Sequence, residues 1–228
     1  MKIVVSLLTH NLFASGRKDL FDRTVASIRA QDFPHELIVL TNSSTDQTDK
    51  LVREMGGHVE TKGDRRFFTG WNLGVTLAQE RADSEDVILF TADDYEYRPG
   101  AFERLAAFWA GDVGKVILLS CDLEPDYPWN TATDTVESGG QRALIRDTVP
   151  GANMSFRPDD LMVIDGMPEG REPMCCRGCD HLLCARLRSN GYQLAAMDLA
   201  EHTGLKRSAG GNEGWQIAWP LDRERWGV

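Results

Sequence analysis

Two adjacent carboxylates close an apolar run in VILFTADDYEYRPGAF, residues 87–102. Apolar as far as Ala92, the stretch reads as a buried strand, and Asp93 and Asp94 stand at its end, before a turn and a new helix start at Pro99. Neighbouring carboxylates repel one another, and a site that keeps both ionised normally supplies a cation, most simply a hard divalent ion held by oxygen ligands. The plainer alternative has one carboxylate capping the turn and the other solvated. A second chemically capable cluster is CCRGCDHLLC: Cys176 and Cys179 have the spacing of a zinc knuckle, and His181 and Cys184 would complete four ligands. No distant second pair accompanies them, so buried reduced thiols are the expected state. The tryptophans of WQIAWPLDRERWGV, with Tyr127 and Trp129 upstream, offer rings that stack on sugars and bases or bury a tail against the core; the core reading is preferred.

The elements that must hold these groups alternate along the chain. KIVVSLL reads as a strand, Leu20 to Ile28 as a helix, ELIVL as a strand and STDQTDKLVREMGG as a helix. In that helix Ser44 and Gln47 have capping-box spacing, and Gly56 and Gly57 sit where a helix stops. HVET, TGWNLGVTLAQERA, DVILFTA, AFERLAAFW and KVILLSC continue as strand, helix, strand, helix and strand. Such alternation implies parallel strands joined by right-handed crossovers: an α/β fold with a doubly wound sheet and helices on both faces. The segment from Glu124 to Val149 breaks the rhythm and reads as loops over the sheet edge. In sheets of this kind ligands bind at the carboxyl ends of the strands, where Asp93 and Asp94 stand.

Composition narrows the function classes. A chain of 228 residues with 42% hydrophobic content can bury one sizeable core, so one domain is expected. Its formal net charge of -10 provides no broad basic surface for a phosphate backbone, which disfavours non-specific nucleic-acid binding and makes a nucleic-acid acceptor the less favoured kind. The apolar runs are far shorter than a membrane helix, and MKIVVSLLTHN turns polar too early for a signal-peptide layout. A soluble cytoplasmic protein with reduced thiols is expected.

Seven stretches, in order from Lys2 to His202, carry a resemblance. SLLTHN, NSSTDQT, WNLG, TADDYEYRPGAF, GANMSFR, GCDHLLCARLRSNGYQL and EHTG together resemble the inverting nucleotide-sugar glycosyltransferases of the GT-A fold, family 2-like. Three positions depart from the family pattern: Ala92 replaces the first Asp of its Asp-x-Asp, Cys179 replaces the Glu before Asp180, and Thr41 replaces an Asp that often contacts the nucleobase.

The resemblance implies a GT-A fold, Rossmann-like and mostly parallel, with an acceptor-side extension. Residues 1–122 would form the nucleotide-sugar-binding half, and 123–228 the acceptor-side half and tail. It implies Mg or Mn held directly by Asp94, with His202 as a further ligand, and Asp93 beside it contacting ribose or a metal-bound water. Thr9, Asn11, Thr41, Asp46 and Asn72 would line the donor site, Thr41 standing where the family often has a base-contacting Asp. The donor would be UDP- or GDP-linked and the acceptor would bear a hydroxyl. Glycosyl transfer passes through an oxocarbenium-like transition state, so the departing diphosphate needs its charge neutralised and the attacking hydroxyl needs a base. By resemblance that base is Asp180; desolvation would raise such a carboxyl from about 3.9 toward a useful range. Plainer readings make Asp180 and Asp46 helix-terminal acids and His202 a surface histidine. Two rival functions are a nucleotide-sugar-binding protein without turnover and a zinc-stabilised interaction module.

Overall fold

Every residue of IVVSLLT is buried in the first strand, β1 (Ile3–Thr9). A strand with no solvent face has no reason to alternate, and this one reads as a continuous apolar run. The computed structural model describes residues 1–61, 67–119, 132–146, 152–163 and 179–203. After β1 come α1 (Lys18–Arg29), β2 (His35–Asn42), α2 (Thr48–Glu54), β3 (His58–Glu60), α3 (Phe67–Gln79), β4 (Val87–Ala92), β5 (Tyr95–Tyr97), α4 (Ala101–Ala110) and β6 (Val116–Leu119). The second half contributes β7 (Ala132–Ser138), β8 (Gln141–Arg146), β9 (Asn153–Phe156), a 3-10 turn (Pro158–Val163), α5 (Cys179–Ser189), β10 (Gln193–Ala196) and β11 (Ala200–His202).

One sheet runs β3-β2-β1-β4-β9-β6-β10-β8-β7, and β11 pairs with β5 in a separate ribbon. The first four strands in that order are parallel, β9 is antiparallel to both its neighbours, β10 is parallel to β6, and β8 and β7 close the edge as an antiparallel hairpin. The chain winds outward from β1 through β2 to β3, then returns to the other side of β1 as β4. The strand order therefore reverses between β1 and β4, and a crevice opens at the carboxyl ends of strands flanking such a switch point.

Glycine sets how closely α3 lies on this sheet. A Cβ at Gly74 would meet Ser6 Oγ at 2.5 Å and Leu40 Cδ2 at 3.0 Å. Gly74→Ala should therefore cost about 1–3 kcal/mol by overpacking, measured by urea unfolding. Ser6 Oγ is buried with no hydrogen-bond partner among the described residues. Adding Ser6→Ala should thus recover part of the loss; no recovery would show that the clash lies elsewhere.

Two expectations are corrected. The loops anticipated over Glu124 to Val149 contain the β7–β8 hairpin, turned by Gly139 and Gly140 at φ 53 and 70. Positive φ at both central residues is the requirement of a tight primed turn, which Gly-Gly meets without strain. Helix α2 begins at Thr48 rather than near Ser44, and its N-terminal residue Gln47 makes no side-chain cap. The capping box fails because the Ser44 hydroxyl is already committed: it accepts from Asn11 N at 3.1 Å and shares a 2.7 Å hydrogen bond with Thr41 Oγ1. The helix stop is as expected, with Gly56 at φ 73 after Met55.

Arg157, at the exit of β9, clamps the amino end of the sheet. Its Nη1 donates to Glu85 O at 2.6 Å, its Nη2 donates to Trp109 O, and the guanidinium lies 5.6 Å from the Trp109 ring centre. Nearby, Tyr192 donates its hydroxyl to Asp160 Oδ1 at 3.0 Å. Burial, with the Asp160 charge behind it, pushes the Tyr192 phenol up to about 12 from its ordinary 10.0. The unfolded chain then loses this proton before the folded one does, so the contribution is complete below pH 10 and disappears as pH rises toward 12. Tyr192→Phe should flatten that alkaline fall in unfolding free energy; an unchanged slope would contradict the assignment.

Candidate active site at the carboxyl edge of the sheet

Register gathers the first residues of the site. Thr9 lies opposite Thr41, and Leu8 lies opposite both Leu40 and Ala92, so Asp93 emerges beside Thr9 across the switch point. Asn11 and Ser43, just beyond the ends of β1 and β2, have φ of 48 and 54. Non-glycine residues in that region are uncommon and persist only where the surroundings hold them. Here the holding is visible. Asn11 Oδ1 accepts from Thr45 N at 2.7 Å, Leu12 N donates to Thr48 Oγ1 at 2.8 Å, and Ser43 N donates to Glu60 O at 2.6 Å.

Asp46 fastens the loop after β1 to the loop after β2. Its Oδ2 accepts from Phe13 N at 3.0 Å and Ala14 N at 2.8 Å, and its Oδ1 accepts from Thr48 N at 2.9 Å. Burial alone would raise this carboxyl, but the donors from Thr48, Ala14 and Phe13 more than offset it and hold it below the usual carboxylate range. Asp46 shapes the rim through these backbone contacts.

The two strand-end carboxylates have different partners. Asp93 is 1% exposed. Its Oδ2 accepts from Thr9 Oγ1 at 2.6 Å, and its Oδ1 forms an ion pair with Arg17 Nη1 at 3.0 Å. Burial pushes the Asp93 carboxyl up to about 6, against the pull of the Arg17 cation and the Thr9 hydroxyl. Asp94 turns the other way, placing Oδ2 3.2 Å from His202 Nε2. The β5–β11 ribbon makes that meeting, pairing His202 with Tyr95, on whose ring the imidazole stacks at 4.6 Å. Thr203 locks the register by donating N and Oγ1 to Asp94 O at 2.8 and 3.0 Å.

A carboxylate and an imidazole 3.2 Å apart suit a divalent ion. Two neighbouring ligands on an octahedral ion with bonds of about 2.1 Å stand about 3 Å apart. Among the described residues no group of three or more His, Cys, Asp or Glu forms a complete metal cage. Magnesium-type sites are commonly built with one or two protein ligands, the rest being water and substrate phosphate.

Of the residues anticipated from sequence, Thr9, Asn11, Thr41, Asp46, Asp93, Asp94 and His202 come together at this edge. Asn72 lies in the second turn of α3, whose first turns pack over the ends of β1 and β2: a Cβ at Gly70 would meet Leu8 Cδ1 at 2.8 Å and Asn42 Cβ at 3.4 Å. Asp180 is the second residue of α5, and its side chain lies outside the described residues. So do Cys175, Cys176, the side chains of Cys179 and His181, Tyr127, Trp129 and the tryptophan-rich tail; Cys184 is buried and in no disulfide. Two supporting residues, Arg17 and Gln31, escape the sequence reading, and a third, Asn153, enters it only as part of GANMSFR. Arg17 sits in a turn without periodicity. Gln31 donates to Arg98 O at 3.1 Å and accepts from Phe102 N at 3.2 Å, bracing the chain on either side of the start of α4. Asn153 donates to Tyr97 Oη at 2.9 Å and Thr91 Oγ1 at 3.3 Å, tying β4 to the ribbon.

A model of the glycosyl transferase family 2 matches residues 10–157. No curated protein matches the chain in sequence. Among solved structures, TarS 1-349 of S. aureus is 20% identical at a TM-score of 0.63, covering 90% of this chain and 61% of that one. The same protein in complex with UDP is 20% identical at a TM-score of 0.62, covering 88% and 60%. The mannosyltransferase PcManGT from Pyrobaculum calidifontis, in complex with GDP-Man and Mn2+, is 18% identical at a TM-score of 0.61, covering 95% and 60%. The chain thus spans about three fifths of the length of these structures. The likeness is one of fold, the GT-A arrangement.

Proposed function

The chain belongs to glycosyl transferase family 2, and from that premise we propose that it transfers a sugar from a nucleotide-sugar donor to an acceptor hydroxyl, with inversion at the anomeric carbon and assistance from Mg or Mn. The observation that carries this reading is the pairing of Asp94 with His202 across 108 residues, at the edge of the switch point. We read residues 1–122 as the nucleotide-binding half and 123–228 as the acceptor-side half of one domain.

Asp94 and His202 would hold the ion, which supplies positive charge to the departing diphosphate. Thr9, Asn11, Thr41, Asn72 and Asp93, on the rim shaped by Asp46, hold the nucleoside part of the donor. The orientation of Asp93 is set before any ligand arrives, because Thr9 donates to Oδ2 and the Arg17 cation stands 3.0 Å from Oδ1. Such preorganisation lowers the cost of binding. Asp180, in the first turn of α5, accepts the proton of the attacking hydroxyl. A base that activates the acceptor in a single displacement gives inversion. The donor is UDP- or GDP-linked; UDP in TarS and GDP-Man in PcManGT show both nucleotides on this fold. Among the described residues no helix is long and apolar enough to cross a membrane.

Thermal unfolding with a panel of UDP- and GDP-sugars, with and without Mn, tests the reading, because a ligand that binds only the native state raises the midpoint. A shift that requires both nucleotide and Mn is expected. No shift with any member of the panel would refute the proposal.

A further inference from the structure

Asp93 and Asp94 are chain neighbours at one strand end, yet only one of them is left for an external cation. We propose that Arg17 is a positioning residue of the donor site that acts through Asp93: its guanidinium is the chain's own cation for that carboxylate, fixing Asp93 in place and leaving Asp94 to face the metal. This inference rests on the reading of the edge as a nucleotide-donor site.

The guanidinium is held from three sides. Nη1 lies 3.0 Å from Asp93 Oδ1, Nη2 donates to His10 O at 3.2 Å, and Nε donates to Ser15 Oγ at 3.2 Å. The Arg17 backbone N donates to Leu12 O at 2.9 Å, so the residue is anchored at both ends. A planar fork reaching three partners has one orientation, which a lysine ammonium cannot reproduce. The need for a cation is physical. A carboxylate that is 1% exposed, next in sequence to a second carboxylate, is costly to leave unpaired. Thr9 supplies a hydroxyl to the other oxygen but no charge. Because His10 and Ser15 flank the loop after β1, Arg17 also fastens that loop to the end of β4. The donor then meets a loop already fixed in place on the buried Asp93 carboxylate. Arg17 lies on the turn before α1, whereas the proposed base lies on α5, so the effect falls on binding of the nucleotide.

The test is calorimetric titration of UDP and of GDP, each with Mn, into the wild type, Arg17→Gln, Arg17→Lys, Asp93→Asn and the double variant Arg17→Gln/Asp93→Asn. Arg17→Gln should weaken nucleotide binding by about 10- to 100-fold, within the range of coupling between members of one ion-paired network. Arg17→Lys should fall in between, keeping the charge and losing the fork. In the Asp93→Asn background, Arg17→Gln should add less than about threefold, because the route through Asp93 is already cut. A purely structural Arg17 would lower the unfolding midpoint and leave the affinity of the folded protein unchanged, which would overturn the inference; so would a full, additive loss on top of Asp93→Asn. If Arg17→Gln does not fold, Arg17→Lys carries the comparison alone, and wild-type affinity in it counts against the proposal. A wild type that binds neither UDP nor GDP removes the donor-site reading and this inference with it, whereas wild-type binding indifferent to Arg17 removes only this inference.

Discussion

Asp180→Asn is expected to leave nucleotide binding in place and to slow sugar transfer by about a hundred- to ten-thousand-fold, the range typical of a lost general base. Helix α5 starts at Cys179, which puts Asp180 in its first turn. An asparagine there has the same size and is as able as aspartate to accept a hydrogen bond at a helix N-terminus, so the fold is expected to be preserved. An amide cannot take a proton from the attacking hydroxyl, so the chemical step alone suffers. The comparison is a calorimetric nucleotide affinity beside a single-turnover transfer rate. If transfer stayed near the wild-type rate, Asp180 would be a helix-terminal acid, and Glu172 and Glu201 would be the next carboxylates to examine.

Asp94→Ala should abolish the Mn-dependent part of donor binding. Loss of groups that merely orient metal ligands costs about 10- to 100-fold in metal affinity, and losing a direct ligand is expected to cost at least that much. The variant separates metal from fold with little ambiguity. Thr203 bonds to the Asp94 backbone carbonyl, which alanine keeps, and His202 remains stacked on Tyr95. The β5–β11 ribbon therefore survives while the carboxylate facing His202 is gone. Thermal midpoints measured without nucleotide should agree between variant and wild type within the few degrees expected for a partly exposed side chain. Unchanged Mn-dependent affinity in the folded variant would remove Asp94 from the metal site.

The elements legible in the sequence were those whose pattern follows from their own burial. The apolar runs of β1, β2 and β4 and the buried positions Leu20, Phe21, Thr24, Val25 and Ile28 of α1 declare themselves because each strand or helix face meets the core directly. The Asp93–Asp94 pair was legible as a strand end carrying charge. What escaped depends on partners far along the chain. Arg17 looks like any polar turn residue until β4 arrives beside β1 and presents a buried carboxylate to it. Ser44 carried a genuine helix-start signal, but the loop after β1 claimed its hydroxyl, and tertiary hydrogen bonding overrode local capping. The β7–β8 hairpin is hard to see in the sequence because ATDTVES is polar enough to read as loop, although its Gly139-Gly140 turn is a hairpin signal. The meeting of Asp94 with His202 came from resemblance; only the ribbon register gives it a physical cause.

The central claim is that this edge releases a nucleoside diphosphate from a bound nucleotide sugar with the help of a divalent ion. The most direct measurement is nucleoside diphosphate release from individual UDP- and GDP-sugars, followed with Mn and again after chelation. The account predicts release from at least one donor in Mn, lost on chelation and lost in Asp94→Ala. A folded protein that binds a nucleotide sugar in Mn yet releases no diphosphate from it, with a range of hydroxyl acceptors supplied, would contradict the account and leave a binding protein without turnover.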